Sequence, residues 1–284
     1  MKLGAHVSTS GGLHTAFRRA ANMEAETIQI FASSPRAWKF RELKPDIVQK
    51  FKEESESTGI APVFIHGSYL VNIGGGPDQL DKSVACLIQN MEVAAEIGAE
   101  GVVFHAGSHK GKGFDAVIGS ATESLKRVLD DSPDGPYLIV ENSAGMGSHL
   151  GASFEELGRM IEEVASDRMK VCLDTEHCFA AGYNLADPDG INEAMDEFDR
   201  HIGFERLVVV HANDAKVELG SGVDRHENIG EGHIGIEGFE VILGHTAFRD
   251  VPFVLEVPGP DKKGPDKDNL DRLKTIRERL SVPA

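Results

Sequence analysis

The sequence predicts an α/β chain folded as a single (β/α)8 barrel domain over residues 1–284. Short, nearly continuous apolar runs alternate with amphipathic segments from end to end, the pattern of parallel strands covered outside by helices. Eight such units are present, and eight is the number that closes a barrel. A length of 284 residues suits one barrel, which commonly takes about 250. An open, doubly wound sheet is the alternative that the same alternation allows.

The first run is LGAHVS at 3–8, followed by an amphipathic segment from Leu13 to Met23. TIQIFA at 27–32 precedes a helix near 46–58, and PVFIHGS at 62–68 precedes a long helix near 79–97. VVFHAGS at 102–108 leads to a helix near 115–130, and YLIVENSA at 137–144 to one near 154–165. KVCLDTEH at 170–177 is followed by a helix near 191–201. LVVVHAND at 207–214 and PFVLEVP at 252–258 close the series, with helices near 237–245 and 267–280. No internal repeat or composition break marks a second domain. GPDKKGPDKDN, after Pro258, reads as a polar loop before the last helix.

Composition narrows the function classes. The chain is 40% hydrophobic and 26% charged, ordinary for a soluble protein. No run approaches the ~18 apolar residues of a membrane span, and MKLGAHVSTSGG lacks a signal peptide's apolar core. Cys86, Cys172 and Cys178 form no C-x-x-C pair, which excludes a thiolate zinc knuckle and a disulfide framework. These features place the chain in the cytoplasm. A net charge of −17 opposes nonspecific attraction to nucleic acid. A phosphate-bearing partner would need a local positive site, which bound metal supplies.

The chemistry lies at the strand ends. His66, His105, Glu141, Asp174, His211 and Glu256 end the third to the eighth runs, with His177 three residues beyond Asp174. Asp224 and His226 follow as D-x-H in the loop after the seventh. One strand-end histidine is ordinarily a hydrogen-bonded structural residue, and one strand-end carboxylate ordinarily caps a helix. Six consecutive strands ending this way form a site, because a barrel gathers those ends on one face. Five imidazoles and four carboxylates suit zinc, or less selectively manganese or iron. Nine donors exceed the needs of one ion and fit two or three.

His6 ends the first run on the same face, and His109 and His233 lie in glycine-rich loops there. His14, His149, His201 and His245 are read as surface or packing residues. Residues 230–235, GEGHIG, match G-x-G-x-x-G, but the segment follows a charged loop and not a strand. A tight turn positioning Asp224 and His226 explains it better than a dinucleotide site.

GAHVS (4–8), HGSYLVNIG (66–74), LIVENSAGMG (138–147), CLDTEHCFAAGY (172–183), HANDAK (211–216) and VDRHENIGEGHIG (223–235) together resemble the endonuclease IV family. The resemblance spans nearly the whole chain. It implies a zinc-dependent apurinic/apyrimidinic endonuclease on a (β/α)8 barrel, acting on double-stranded DNA that contains abasic sites. The expected reaction is hydrolysis of the phosphodiester 5′ to the abasic site, giving a 3′-hydroxyl and a 5′-deoxyribose phosphate. The resemblance assigns His66, His105 and Glu141 to one Zn2+. Glu141 bridges to a second held also by Asp174, His211 and Glu256, and a third takes His177, Asp224 and His226. Mn2+ or Fe2+ is an alternative occupant at one or more positions. Glu141 is the expected catalytic residue.

The same resemblance makes Arg36, Tyr69 and Leu70 the side chains that enter the duplex, with Trp38 in the same loop as Arg36. Lys216, Arg225, Lys110 and Lys112 are the nearest cations for phosphate contacts. Gly67, Ala106, Gly222, Glu227 and Val257 depart from the family's usual residues, and Gly222 and Glu227 make the DNA-facing loop less positive. A monomer associated with the nucleoid is the expected form. Two rivals stay open at this stage. A sugar isomerase or epimerase on a similar barrel would use one ion or two. A non-catalytic damage-binding protein would not need all nine donors.

Overall fold

Why eight short apolar runs close on themselves is visible in where each side chain goes. The computed structural model describes residues 1–38, 40 and 43–281. In chain order the strands are β1 (Leu3–His6), β2 (Thr27–Phe31), β3 (Val63–His66), β4 (Gly101–His105), β5 (Tyr137–Glu141), β6 (Met169–Asp174), β7 (Leu207–His211), β8 (Asp214–Ala215), β9 (His226–Glu227) and β10 (Phe253–Leu255). All but β8 and β9 form a closed parallel barrel, with β1 joining β2 on one side and β10 on the other. Alternate strand residues face opposite ways. Phe64, Val103, Ile139, Cys172, Val209 and Val254 fill the barrel interior. Their neighbours, such as Ile65, Val102 and Leu138, pack outward into the larger core beneath the helices.

Those helices are α1 (Thr15–Asn22), α2 (Pro45–Thr58), α3 (Pro77–Ile97), α4 (Phe114–Asp130), α5 (Phe154–Val164), α6 (Thr175–Ala181), α7 (Pro188–His201), α8 (Gly235–Gly244) and α9 (Lys267–Ser281). Local signals set their ends. Proline opens α2, α3 and α7, where its missing N–H costs nothing. Left-handed Gly59 and Gly98 close α2 and α3. Ser153 caps α5 by accepting from the Glu156 N–H at 3.2 Å. Among the described residues no helix is long and apolar enough to cross a membrane.

The sixth strand stops at Asp174, the residue expected to end it, but the remainder of KVCLDTEH is not loop: Thr175 begins α6. Asp174 caps that helix by accepting from the His177 N–H at 3.0 Å. At seven residues, α6 is too short to show helical periodicity, although its capping residue was visible. The seventh strand ends at His211 as expected, and Asp214, at the end of that run, belongs to the small β8–β9 hairpin.

The closing helix is clamped to the first strands. Glu26 accepts from Arg277 Nη1 at 2.6 Å and Nη2 at 2.9 Å, and from the Leu3 N–H at 2.8 Å. Burial alone would raise the Glu26 carboxyl, but the guanidinium and the Leu3 N–H hold it below the usual range. Glu26→Gln should therefore cost about 1 kcal/mol at neutral pH, since the pair is partly solvated. A depressed carboxyl contributes fully above the unfolded value of about 4.3 and loses that contribution as pH falls through its lower native value. Urea midpoints of parent and variant should thus converge in acid; a gap unchanged to about pH 3 would remove the charge from this account.

Candidate active site

His66, His105, Glu141, Asp174 and His211 are the last residues of β3, β4, β5, β6 and β7, and Glu256 directly follows β10. Parallel strands deliver those residues to one end of the barrel. Register tightens the set, since His105 pairs with Glu141 and Asp174 with His211. His177 joins from the first turn of α6. His226 joins because β9 pairs it with Ala215 on β8, and Asp224 lies two residues before it.

Glu141 lies at the centre and is fully buried. Its Oε2 is 3.4 Å from His66 Nε2 and 3.7 Å from His105 Nε2. Its Oε1 is 3.1 Å from His211 Nδ1 and 3.3 Å from His177 Nδ1. Glu256 Oε2 is 3.4 Å from His211 Nδ1. Asp174 Oδ2 lies 3.8 Å from His211 Nδ1 and 3.7 Å from His226 Nε2, between two donor groups. Asp224 spans His177 Nε2 at 3.4 Å and His226 Nε2 at 3.5 Å. The fold thus brings all nine predicted donors together. Among the described residues, three sets have donor atoms within 4.8 Å of one another: His66, His105 and Glu141; Glu141, Asp174, His211 and Glu256; and Asp174, Glu176, His177 and His226.

This donor set fits metal ions. Most of the spacings exceed a hydrogen bond and lie near the ~3.3–3.4 Å that separates two donors each about 2.0–2.1 Å from a tetrahedral zinc. Ring nitrogens on the far sides are fixed by acceptors. His66 Nδ1 donates to the Gly67 carbonyl at 2.8 Å, and His177 Nδ1 to that of Asn142 at 2.9 Å. His211 Nε2 donates to Gln29 Oε1 at 3.0 Å. Those partners turn His66 Nε2, His177 Nε2 and His211 Nδ1 inward as lone pairs, the arrangement of a ligating imidazole. His66 Nε2, His226 Nε2 and Glu141 Oε2 are buried and lack a hydrogen-bond partner. Buried polar atoms are seldom left so, and a cation satisfies all three. Burial would raise Glu141, yet the histidines hold its carboxyl well below the usual range. Burial would lower His177, yet Asp174, Asp224 and Glu141 hold it well above. Cys172 is not a donor in any of the three sets; burial pushes its thiol up to about 12.

Sequence reasoning missed the residues that hold the donors. Gln29 Nε2 donates to Glu256 Oε1 at 2.6 Å while its oxygen receives His211. Asn142 Oδ1 accepts from the Asp174 N–H at 2.6 Å. Asn213 Nδ2 donates to Asp174 Oδ2 at 2.7 Å, and its Oδ1 accepts from the Glu256 N–H at 2.9 Å. A polar Gln29 inside the apolar strand TIQIF was the available signal. Glu176, fully buried, was also missed; burial and then Asp174 push its carboxyl up to about 7. His6 Nδ1 meets Glu256 Oε1 at 3.0 Å, on the edge of the same network.

The rim carries the remaining predictions. Tyr69 is exposed over the donors, its ring 5.7 Å from His66 and 6.2 Å from His105. A cavity of about 780 Å³ bounded by His6, Phe31, His226 and Glu256 lies on one side of it. Another of about 550 Å³, lined by Trp38, Leu70 and His149, lies on the other. The Tyr69 N–H donates to the Pro35 carbonyl at 2.9 Å, tying its loop to the one that carries exposed Arg36. Trp38 is half-buried against the core, and Leu70 is half-buried at the rim. Lys216 is ion-paired with Glu227 at 2.7 Å, and Arg225 Nη1 donates to the Asp224 carbonyl at 2.6 Å. Lys110 donates to Gln79 Oε1 at 2.9 Å, and Lys112 is exposed.

The G-x-G-x-x-G segment has an internal purpose. It wraps the fully buried Asp214, whose carboxylate accepts from the N–H groups of Gly230 (2.8 Å), Gly232 (3.1 Å), Ile234 (2.9 Å) and Gly235 (3.2 Å). Gly230 takes a φ of 81°, and a Cβ on Gly232 would stand 2.5 Å from Asp214 Oδ1. The carboxylate also sits at the N-terminus of α8, where the helix dipole favours it. The segment is thus a turn, as expected, but its N–H groups are organised around Asp214 and not around Asp224 and His226.

Comparison with known proteins agrees with this geometry. The family model described as "Xylose isomerase-like TIM barrel" matches residues 17–279. A probable endonuclease 4 from Halothermothrix orenii is 41% identical over 270 residues, covering 94% of this chain and 96% of that protein. One from Haloarcula marismortui is 38% identical, covering 98% and 99%. The crystal structure of endonuclease IV from Thermus thermophilus superposes with a TM-score of 0.87 at 38% identity, covering 98% and 100%. A D-tagatose 3-epimerase-like protein, at TM-score 0.71 and 20% identity over 99% and 97%, shares the fold alone. With relatives of this identity aligned over nearly their entire length, the chain belongs to the endonuclease IV family of nucleases.

Proposed function

We propose that this chain is a DNA-repair endonuclease that hydrolyses the phosphodiester 5′ to an abasic site, leaving a 3′-hydroxyl and a 5′-deoxyribose phosphate. The convergence of nine imidazole and carboxylate donors around Glu141 carries this reading. Family membership supports the nuclease class. Three Zn2+ are the preferred complement, with Mn2+ or Fe2+ as substitutes at one or more positions. His66, His105 and Glu141 would hold one; Glu141, Asp174, His211 and Glu256 a second; His177, Asp224 and His226 a third. Ions held there would acidify water and offset charge on a phosphodiester undergoing displacement.

The chain's own residues do the rest. Glu141 presents one oxygen to His66 and His105 and the other to His211 and His177, so one rigid carboxylate positions two donor groups. Gln29, Asn142 and Asn213 lock the ring and carboxylate orientations. A sugar without a base costs little to extrude, and the cavity beside Tyr69 would receive it. Arg36, Tyr69 and Leu70 would occupy the gap in the base stack, with Trp38 backing their loop. Lys216, Arg225, Lys110 and Lys112 would contact phosphates, Lys216 by exchanging Glu227 for the backbone. One chain supplies every donor, which supports action as a monomer, and a DNA substrate would place it at the nucleoid within the cytoplasm.

The test is a duplex with one central abasic site, incubated with zinc-loaded protein before and after strong chelation. Metal-dependent incision leaving a 3′ end that a polymerase extends is the expected result. No incision by loaded protein would overturn the proposal in favour of isomerase chemistry. A 3′-unsaturated aldehyde would replace hydrolysis with lyase chemistry.

A further inference from the structure

One buried carboxylate beside the site has no role in the account so far. Glu176 lies in the first turn of α6, is fully buried, and belongs to a donor set with Asp174, His177 and His226. Its Oε1 accepts from the Arg225 N–H at 2.9 Å, which fixes the carboxylate and joins it to the loop carrying Asp224. Its Oε2 has no hydrogen-bond partner and stands 4.0 Å from His177 Nε2. His226 Nε2, in the same set, is also buried and unpartnered. An oxygen and a nitrogen that both lack donors, enclosed together, call for a cation between them.

We propose that Glu176 is a tenth donor, a carboxylate ligand completing the metal position of His177, Asp224 and His226. This rests on the reading of that position as a metal site. Two imidazoles and two carboxylates would then fill a four-coordinate ion from the protein alone. That position would retain its ion more firmly, and accept oxygen-preferring ions such as Mn2+ more readily, than three donors allow. Glu176 also anchors the 224–226 loop through the Arg225 N–H, a purely structural role. Glutamine keeps an oxygen for that hydrogen bond and removes the charge, so Glu176→Gln separates the two roles.

Zinc-loaded parent, Glu176→Gln and Asp224→Asn chains are dialysed against graded chelator, and bound metal is counted by elemental analysis. Glu176→Gln should release one ion per chain at roughly 10–100-fold lower chelator than the parent, as Asp224→Asn should. The visible d–d spectrum of the Co2+-substituted protein should also change in Glu176→Gln. Parent-like retention and spectrum in Glu176→Gln, with release from Asp224→Asn, would overturn the ligand role alone. Parent-like retention in both variants would overturn the metal position itself. Equal melting temperatures of the chelated chains check folding. If Glu176→Gln melts early, Glu176→Asp, which keeps the charge but withdraws the donor by one methylene, serves the same comparison.

Discussion

Glu141→Gln should lower incision at an abasic site on the order of 10³-fold, the ~4 kcal/mol scale of removing a charge-stabilising group from a catalytic site. Both oxygens of this buried carboxylate face histidines, Oε2 towards His66 and His105, Oε1 towards His211 and His177. An amide of the same shape preserves packing but brings no charge and aims an N–H2 group at ring nitrogens meant to act as donors. Two of the three donor groups should weaken together. Melting with and without Zn2+ tests this apart from turnover. A ligand at 100 times its dissociation constant stabilises by about 2.7 kcal/mol, and most of that increment should vanish in the variant. An undiminished zinc-induced shift with incision within about tenfold of the parent would defeat the central role given to Glu141.

Asp214→Ala is the substitution expected to cost most stability, about 3–5 kcal/mol. Four N–H groups of the 230–235 loop converge on the Asp214 carboxylate, and alanine leaves them without an acceptor in a partly enclosed turn. In a chain of this size the melting temperature should fall by roughly 6–15 °C. Asparagine should not rescue it, because its amide turns a donor towards donors. The damage should spread to chemistry, since Asp214 opens β8, whose partner strand holds His226 in place. Metal content should therefore fall with stability in this variant. A loss below about 1 kcal/mol would show that water replaces the carboxylate and that the loop needs no internal anion.

The strand ends were legible because a parallel barrel turns a linear rule into a spatial one. Six runs that finish on His66, His105, Glu141, Asp174, His211 and Glu256 meet on one face, whatever the loops between them do. His177 was legible as a donor but not as a helical residue, because α6 is two turns long and follows its strand without a spacer. Gln29, Asn142 and Asn213 escaped because an amide that orients a ligand carries no spacing signal of its own. Glu176 escaped for a different reason: between Asp174 and His177 in D-T-E-H it reads as one more acid of a polar strand end, and only burial distinguishes it. Asp214 ends the run LVVVHAND, but the four N–H groups it gathers come from a loop 16 to 21 residues away.

Phe64, Val103, Ile139, Cys172, Val209 and Val254 form an apolar plug inside the barrel, beneath the donors. Ions cannot cross such a layer without shedding their hydration, so traffic to the donors runs through the rim. Duplex DNA seated on Tyr69 and its neighbours would stand in that doorway. Metal exchange and substrate release then share one exit, and a chelator added to the complex must wait for the DNA to leave.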